Sequence, residues 1–213
     1  MKIYDISHTL QEGVPAWPGD WKFYREVSSR IENGEGSNSS NIRTALHIGT
    51  HLDAPRHTIE NGLTVDQVAL SAVIGPALVI SVNGPVIKAD DLKIVTEKKA
   101  RRVIFHCPGQ DARLRSFPED FTYPGPDAAR FLVEAGVLLV GTNTPSVDPP
   151  DSTALETHRI LMTAGIVVLE NLCLEEVPDG EYELIALPLK ISGGDGSPVR
   201  AVLVDRTCAP SRK

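Results

Sequence analysis

His47-Ile48-Gly49-Thr50-His51-Leu52-Asp53-Ala54-Pro55-Arg56-His57 puts three imidazoles and one carboxylate into eleven consecutive positions. The HxxxH pair inside it could mark a helix that presents two rings from one face. Ile48, Gly49, Thr50 and Pro55 all oppose that reading, because they combine a β-branched pair, the weakest common helix former and a ring that breaks the ladder. An extended chain remains. In a straight strand His47, Gly49, His51 and Asp53 share a face, yet the α-carbons of His47 and His51 would lie ~13 Å apart at about 3.3 Å per residue. Two rings at that spacing strain to share one ion. A bend at Gly49, which reaches backbone angles closed to other residues, draws the rings together and leaves His51 and Asp53 on one side. Pro55 fixes its own backbone angle and keeps Ala54 extended, which carries His57 back to the same pocket. The stretch is therefore predicted to be a bent strand that gathers metal ligands. Imidazole nitrogen and carboxylate oxygen suit zinc, manganese or iron, and no thiolate stands among them to close the site against water.

Beyond this stretch the pattern is α/β. Ala77 to Val82, Arg102 to His106, Val137 to Gly141 and Ile166 to Glu170 are β-branched or leucine-rich runs, as expected of strands buried on both faces. Helical patterns fill the gaps. One opens at Ala89 or Asp90, a second at Pro126-Asp127 and ends at Gly136, and a third at Thr153, where Glu156 completes a capping-box signature, and ends near Gly165. The first 75 residues read as β-rich and irregular, with a strand-like Met1 to Ser7, a Pro/Gly-rich Gly13 to Asp20 and a polar Asn33 to Asn41 loop. Tyr182 to Ile191 and Val199 to Asp205 give two more strands. Ser-Gly-Gly-Asp-Gly-Ser-Pro between them is a flexible connection by composition, and Gly193 to Ser197 suits a turn or a mobile lid. Read as a phosphate cradle, that loop lacks the lysine and the helix start such cradles use. A mixed sheet is predicted.

The 213 residues suffice for one domain spanning residues 1–213. The 21 basic and 28 acidic residues leave a formal charge of -7, with no basic run or aromatic-basic patch for nucleic acid, so a small molecule is the expected partner. Residues 1 to 11 lack a basic start followed by an apolar run, and no stretch matches a membrane span; a cytoplasmic protein is expected. Cys107, Cys173 and Cys208 are odd in number and form no CxxC pair, which points to reduced structural thiols. His106-Cys107 offers an alternative, a thiol beside an imidazole at a strand end, although neighbours on a strand face opposite ways.

Two further residues stand out. His158 falls on the apolar stripe of the third helix, one turn from Leu155 and Leu161, and Glu170 ends the run Ile166-Val167-Val168-Leu169. A charged group at the end of a buried strand needs a partner, and a cation would serve.

With these residues in hand the chain resembles the cyclase family of metal-dependent hydrolases, and within it the bacterial formamidase branch. The likeness runs through Trp17-Pro18-Gly19-Asp20, His47 to His57, Pro145-Ser146-Val147-Asp148-Pro149, His158, Glu170-Asn171, Glu183 to Leu189 and Asp195 to Val202. It implies a swivelling β/β/α fold with a mixed sheet and flanking helices, a homodimer, and two divalent metal ions, zinc first and manganese as the alternative. Carried over position by position, His47 and His51 bind one ion, His158 binds the other, and Asp53 and Glu170 bridge both. His57 corresponds to the proton donor and acceptor, and Trp17 to an aromatic against the substrate. Asn143 stands where the pattern commonly has aspartate, and His106 to Pro124 has no clear counterpart.

The implied reaction is hydrolysis of an N-formyl aryl amide such as N-formylkynurenine, by attack of a hydroxide generated at the metals. Two divalent ions outweigh two carboxylates and a hydroxide, so the centre stays positive and favours that hydroxide. Rival readings keep the centre but open a cyclic amide such as isatin or a lactone, or use it as a Lewis acid for a polyketide-type cyclisation or dehydration. A non-catalytic metal-binding domain is a third class, but closed structural sites lack a spare base such as His57.

Overall fold

The apolar runs predicted as buried strands line up at the centre of one mixed sheet in the computed structural model of the chain, which describes residues 1–110 and 118–206. In chain order the strands are β1 (Lys2–Asp5), β2 (Tyr24–Ser29), β3 (Ser39–Arg43), β4 (His51–Asp53), β5 (Ile74–Ser81), β6 (Val86–Ile87), β7 (Arg102–His106), β8 (Tyr123–Pro124), β9 (Leu139–Thr142), β10 (Val167–Glu170), β11 (Gly180–Pro188) and β12 (Gly196–Asp205). The helices are α1 (Leu70–Val73), α2 (Lys93–Glu97), α3 (Pro126–Glu134) and α4 (Glu156–Thr163). Eight strands follow the order β1-β12-β11-β5-β7-β9-β10-β4, and β12 pairs with β4 as well, so the sheet closes on itself. Strands β5, β7, β9 and β10 run parallel, joined through α2, α3 and α4, as parallel neighbours require a crossover. The remaining pairs in that sheet are antiparallel.

Alternation along each strand divides the core in two. Val79, Ile104, Leu139 and Leu169 point to the inside of the closed sheet, where they meet Ile6, Leu52, Leu184 and Leu203. Their neighbours Ile80, Val103, Phe105, Val140 and Val168 point outward and pack beneath Val95, Leu132, Leu161 and Met162 of the helices. Strands covered on both faces carry no polar alternation, which is why they read as continuous apolar runs.

Strand β4 has only three residues but closes the sheet, inserted between β10 and β12. Its register sets Asp53 opposite Val168 and Gly196, and His51 opposite Glu170 and Pro198. Leu52 turns inward, fully buried. His51, Asp53 and Glu170 therefore share the outer, helix-covered face at the carboxyl end of β10, the end of a parallel sheet where open α/β folds bind ligands.

Four sequence expectations change. The third helix starts at Glu156, not Thr153: Leu155 has a left-handed backbone with φ of 48°, and no capping box forms there. The cap is supplied by Asp148, whose carboxylate accepts the N–H groups of Thr157 at 2.8 Å and His158 at 3.0 Å. The polar Asn33 to Asn41 segment is not all loop, since Ser39 onward forms β3 and pairs with β2. That hairpin has no buried residue, so no hydrophobic period announces it. The connection after β11 lies three residues earlier than expected and is better pinned than its composition suggests, because β11 ends at Pro188, β12 begins at Gly196 and Val65 N–H donates to the Gly194 carbonyl at 2.7 Å. Cys107 is buried in the outer core, where the side-chain amide of Asn143 clasps its N–H and carbonyl at 2.8 and 2.9 Å. Neither residue lines the cavity described below, so the alternative of a Cys107 nucleophile fails and the Asn143 departure concerns packing. Cys208 lies outside the described residues. No helix among the described residues is long and apolar enough to cross a membrane.

Candidate metal centre

The bend predicted at Gly49 is present, with φ of +58°. Space requires glycine there as well, because a Cβ at Gly49 would lie 2.6 Å from Leu10 Cδ2. Across the bend the rings of His47 and His51 have centroids 5.3 Å apart. Pro55 starts a single 3-10 turn, Pro55–His57, in which the His57 N–H donates to the Ala54 carbonyl at 2.8 Å. That turn returns the His57 ring to within 4.1 Å of His47 and 5.5 Å of His158, centroid to centroid.

Two carboxylates form the centre. His47 Nδ1 and His51 Nε2 lie 2.6 and 3.3 Å from Asp53 Oδ1, and His158 Nε2 lies 3.4 Å from Oδ2. Glu170 meets the same rings from β10, with Oε2 at 3.3 Å from His51 Nε2 and Oε1 at 3.2 Å from His158 Nε2. The N–H of Val147 donates to Oε1 at 3.0 Å and fixes that carboxylate. Side chains from three separate parts of the chain thus face one point. His51, Asp53, His158 and Glu170 are no more than 4% exposed.

Each of the three rings is tied from behind by its other nitrogen. His51 Nδ1 donates to the Gly49 carbonyl at 2.9 Å, His158 Nδ1 to Asp148 Oδ2 at 2.6 Å, and His47 Nε2 to Asp195 Oδ2 at 3.0 Å. Backing of this kind is usual for metal-binding histidines, because it fixes the tautomer and aims the free nitrogen. Asp148 and Asp195 belong to motifs that carry the family resemblance, but the sequence attaches no role to them. An acid within each motif was the only available signal.

Proton bookkeeping shows how well a cation suits this donor set. Burial alone pushes the His47 and His51 imidazoles down, but Asp53 with Asp195 for the first, and Asp53 with Glu170 for the second, together outweigh it and hold them up at about 9 and about 10. His158 is also raised, burial being overcome by Asp148, Asp53 and Glu170. Asp53 is lowered, as His47 and His51 overcome its burial. Glu170 is lowered too, although burial and the nearby Asp53 charge both oppose it, because His158 and His51 donate to it. Buried carboxylates side by side are thus neutralised by extra protons on the imidazoles. A divalent cation supplies the same charge without those protons, and ligating histidines must be neutral.

The donors floor a cavity of about 330 Å³. Trp17, Pro15, Pro118, Pro145 and Leu155 form apolar walls, while Asp20, Ser146, Ser152, Thr153 and Asn171 add polar groups. The structure therefore brings together all seven site residues singled out in the sequence: His47, His51, His57, His158 and Glu170 at the floor, Asp53 buried behind it against His47 and His51, and Trp17 on the wall.

Comparison with known proteins agrees with the geometry. The Cyclase family model, described as "Putative cyclase", matches residues 4–149. A kynurenine formamidase of Salinibacter ruber is 42% identical over 208 residues, covering 96% of this chain and 98% of that protein. One from Bacillus mycoides is 38% identical, covering 93% and 95%. Among solved structures, a potential metal-dependent hydrolase with cyclase activity superposes with a TM-score of 0.79 at 28% identity, covering 96% of this chain and 98% of the other. Isatin hydrolase A from Labrenzia aggregata superposes at 0.81 with 27% identity, covering 95% and 93%. With the family model spanning well over half of its length and a relative matched almost end to end, the chain belongs to the cyclase family.

Proposed function

We propose that the chain is a metal-dependent amide hydrolase that cleaves the N-formyl amide of an aryl amine, N-formylkynurenine being the leading candidate, to formate and the free amine. The observation that carries this reading is the convergence of three backed imidazoles on two buried carboxylates at the floor of an apolar-walled cavity. Support for the substrate class comes from the kynurenine formamidases, alike over nearly the whole chain.

His47, His51 and Asp53 would hold one divalent cation, and His158 and Glu170 a second, with Asp53 and Glu170 shared; zinc fits first and manganese next. When bound, such cations polarise a carbonyl oxygen and lower the pKa of water enough for hydroxide chemistry near neutrality. His57 sits beside the cluster but half out of it, its side chain 25% exposed. Its Nδ1 faces Asp195 at 3.8 Å, which leaves Nε2 to take a proton from water and return it to the departing nitrogen. Trp17 and the prolines of the wall would receive the aryl ring and keep bulk water from the reacting amide. A homodimer fits the β2–β3 hairpin, which exposes Tyr24 and Ile42 and as a lone two-stranded ribbon gains from a partner; sedimentation at monomer mass would speak against it.

The test is formate release from N-formylkynurenine by purified protein supplied with zinc or manganese. His57→Ala is expected to keep its metal and lose about 10²- to 10⁴-fold in kcat, the usual contribution of a general acid–base. A variant that lost its metal instead would contradict the assignment. The fold likeness to isatin hydrolase A favours a second reading, opening of a cyclic amide. Comparing kcat/KM for isatin and N-formylkynurenine separates the two.

A further inference from the structure

We infer that Asp195 is a positioning residue that holds the rings of His47 and His57 together from outside the donor cluster. The inference rests on reading His47 as a ligand and His57 as the proton carrier. One oxygen, Oδ2, accepts from His47 Nε2 at 3.0 Å and lies 3.8 Å from His57 Nδ1, while the two rings are 4.1 Å apart. The backing groups of the other rings, Gly49 carbonyl and Asp148, each address one imidazole. Asp195 addresses two, and so ties the orientation of a ligand to that of the group beside the substrate.

The carboxylate is rigidly presented. Its own backbone carbonyl accepts from Ala54 N–H at 2.9 Å, just after the strand that carries Asp53. Gly194 N–H donates to the Ile191 carbonyl at 3.1 Å, and Gly193 N–H donates to the Asp66 carboxylate at 3.2 Å. Gly196 then pairs opposite Asp53. A Cβ at Gly196 would stand 2.7 Å from His47 Cε1 and 3.0 Å from the Leu52 carbonyl, so glycine at that position leaves room for the ring that Asp195 grips. The segment behaves as a fixed bracket, not the flexible connection its composition suggested.

Calorimetric titration of zinc into metal-stripped wild type, Asp195→Ala and Asp195→Asn tests this. The Asp195 side chain is 46% exposed, so alanine opens no buried hole. Asp195→Ala is expected to weaken zinc binding roughly 10- to 100-fold, the usual effect of removing such a partner. Asp195→Asn should lose less, because its amide oxygen still accepts from Nε2–H. With zinc saturating, both variants should lose kcat while KM stays within about twofold, as for a group felt only in the transition state. Wild-type zinc affinity in both variants would overturn the proposal. So would equal weakening in both together with a lowered unfolding temperature of the metal-free protein, since that marks a merely structural role. Wild type that binds no zinc would refute the ligand reading alone. In that event crystals of metal-free Asp195→Ala decide: a His47 ring displaced from its wild-type position supports positioning, and an unmoved ring overturns it.

Discussion

Gly49 shows how one backbone angle can assemble a site. Its φ of +58° costs an L-residue roughly 1–2 kcal/mol, and a side chain there must also displace Leu10 from 2.6 Å. Gly49→Ala is therefore expected to destabilise the protein by about 1–3 kcal/mol in urea unfolding and to weaken metal binding, because its carbonyl also orients His51. Gly36→Ala, on an exposed loop with open space around it, is the matched control and should be near neutral. Equal effects of the two would refute the assignment of Gly49 as the hinge. The residues of this stretch were legible because ligand chemistry, a glycine and a proline fall within eleven positions. Asp148 and Asp195 were not, since each acts on a ring brought to it by the fold, His47 lying 148 positions from Asp195.

Helix α4 owes both its start and its functional ring to Asp148. That carboxylate caps two N–H groups and holds His158 Nδ1 at 2.6 Å. Burial by itself would raise Asp148, but His158 outweighs it and keeps the carboxyl below its usual range. Asp148→Ala removes a cap and strands a buried imidazole N–H, for an expected loss of about 2–4 kcal/mol in denaturant unfolding, with weaker metal binding. A loss under about 0.5 kcal/mol, the size of an ordinary surface change, would contradict this role. The capping-box signature at Thr153 and Glu156 misled because it records a local option, while the cap in place comes from a turn that already serves the centre. Buried parallel strands were legible from their apolar runs; β3 was not, because a ribbon exposed on both faces leaves no period in its sequence.

The closed sheet brings a short strand, a helix and the end of a parallel strand to one face, and its proton balance gives the entire molecule a pH signature. In the metal-free state His47 and His51 titrate near 9 and 10, against about 6.5 in an unfolded chain. Groups raised on folding contribute stability that is complete below about 6.5 and is lost as pH rises through the folded values. Metal-free protein should thus lose stability between pH 6.5 and 10, whereas metal-bound protein, with neutral imidazoles, should not. The gap in unfolding temperature with and without zinc is expected to widen from pH 6.5 to 9; a constant or narrowing gap would refute the exchange of protons for metal. What no sequence pattern displayed was the closure of β4 between β10 and β12, which sets His51 opposite Glu170. The most direct examination of the centre is anomalous diffraction at the zinc edge from crystals of the zinc-loaded protein. Two peaks are expected per chain, one beside His47 and His51 and the other beside His158, with Asp53 and Glu170 contacting both, whereas no peak among these side chains, or zinc bound only elsewhere, would contradict a binuclear centre.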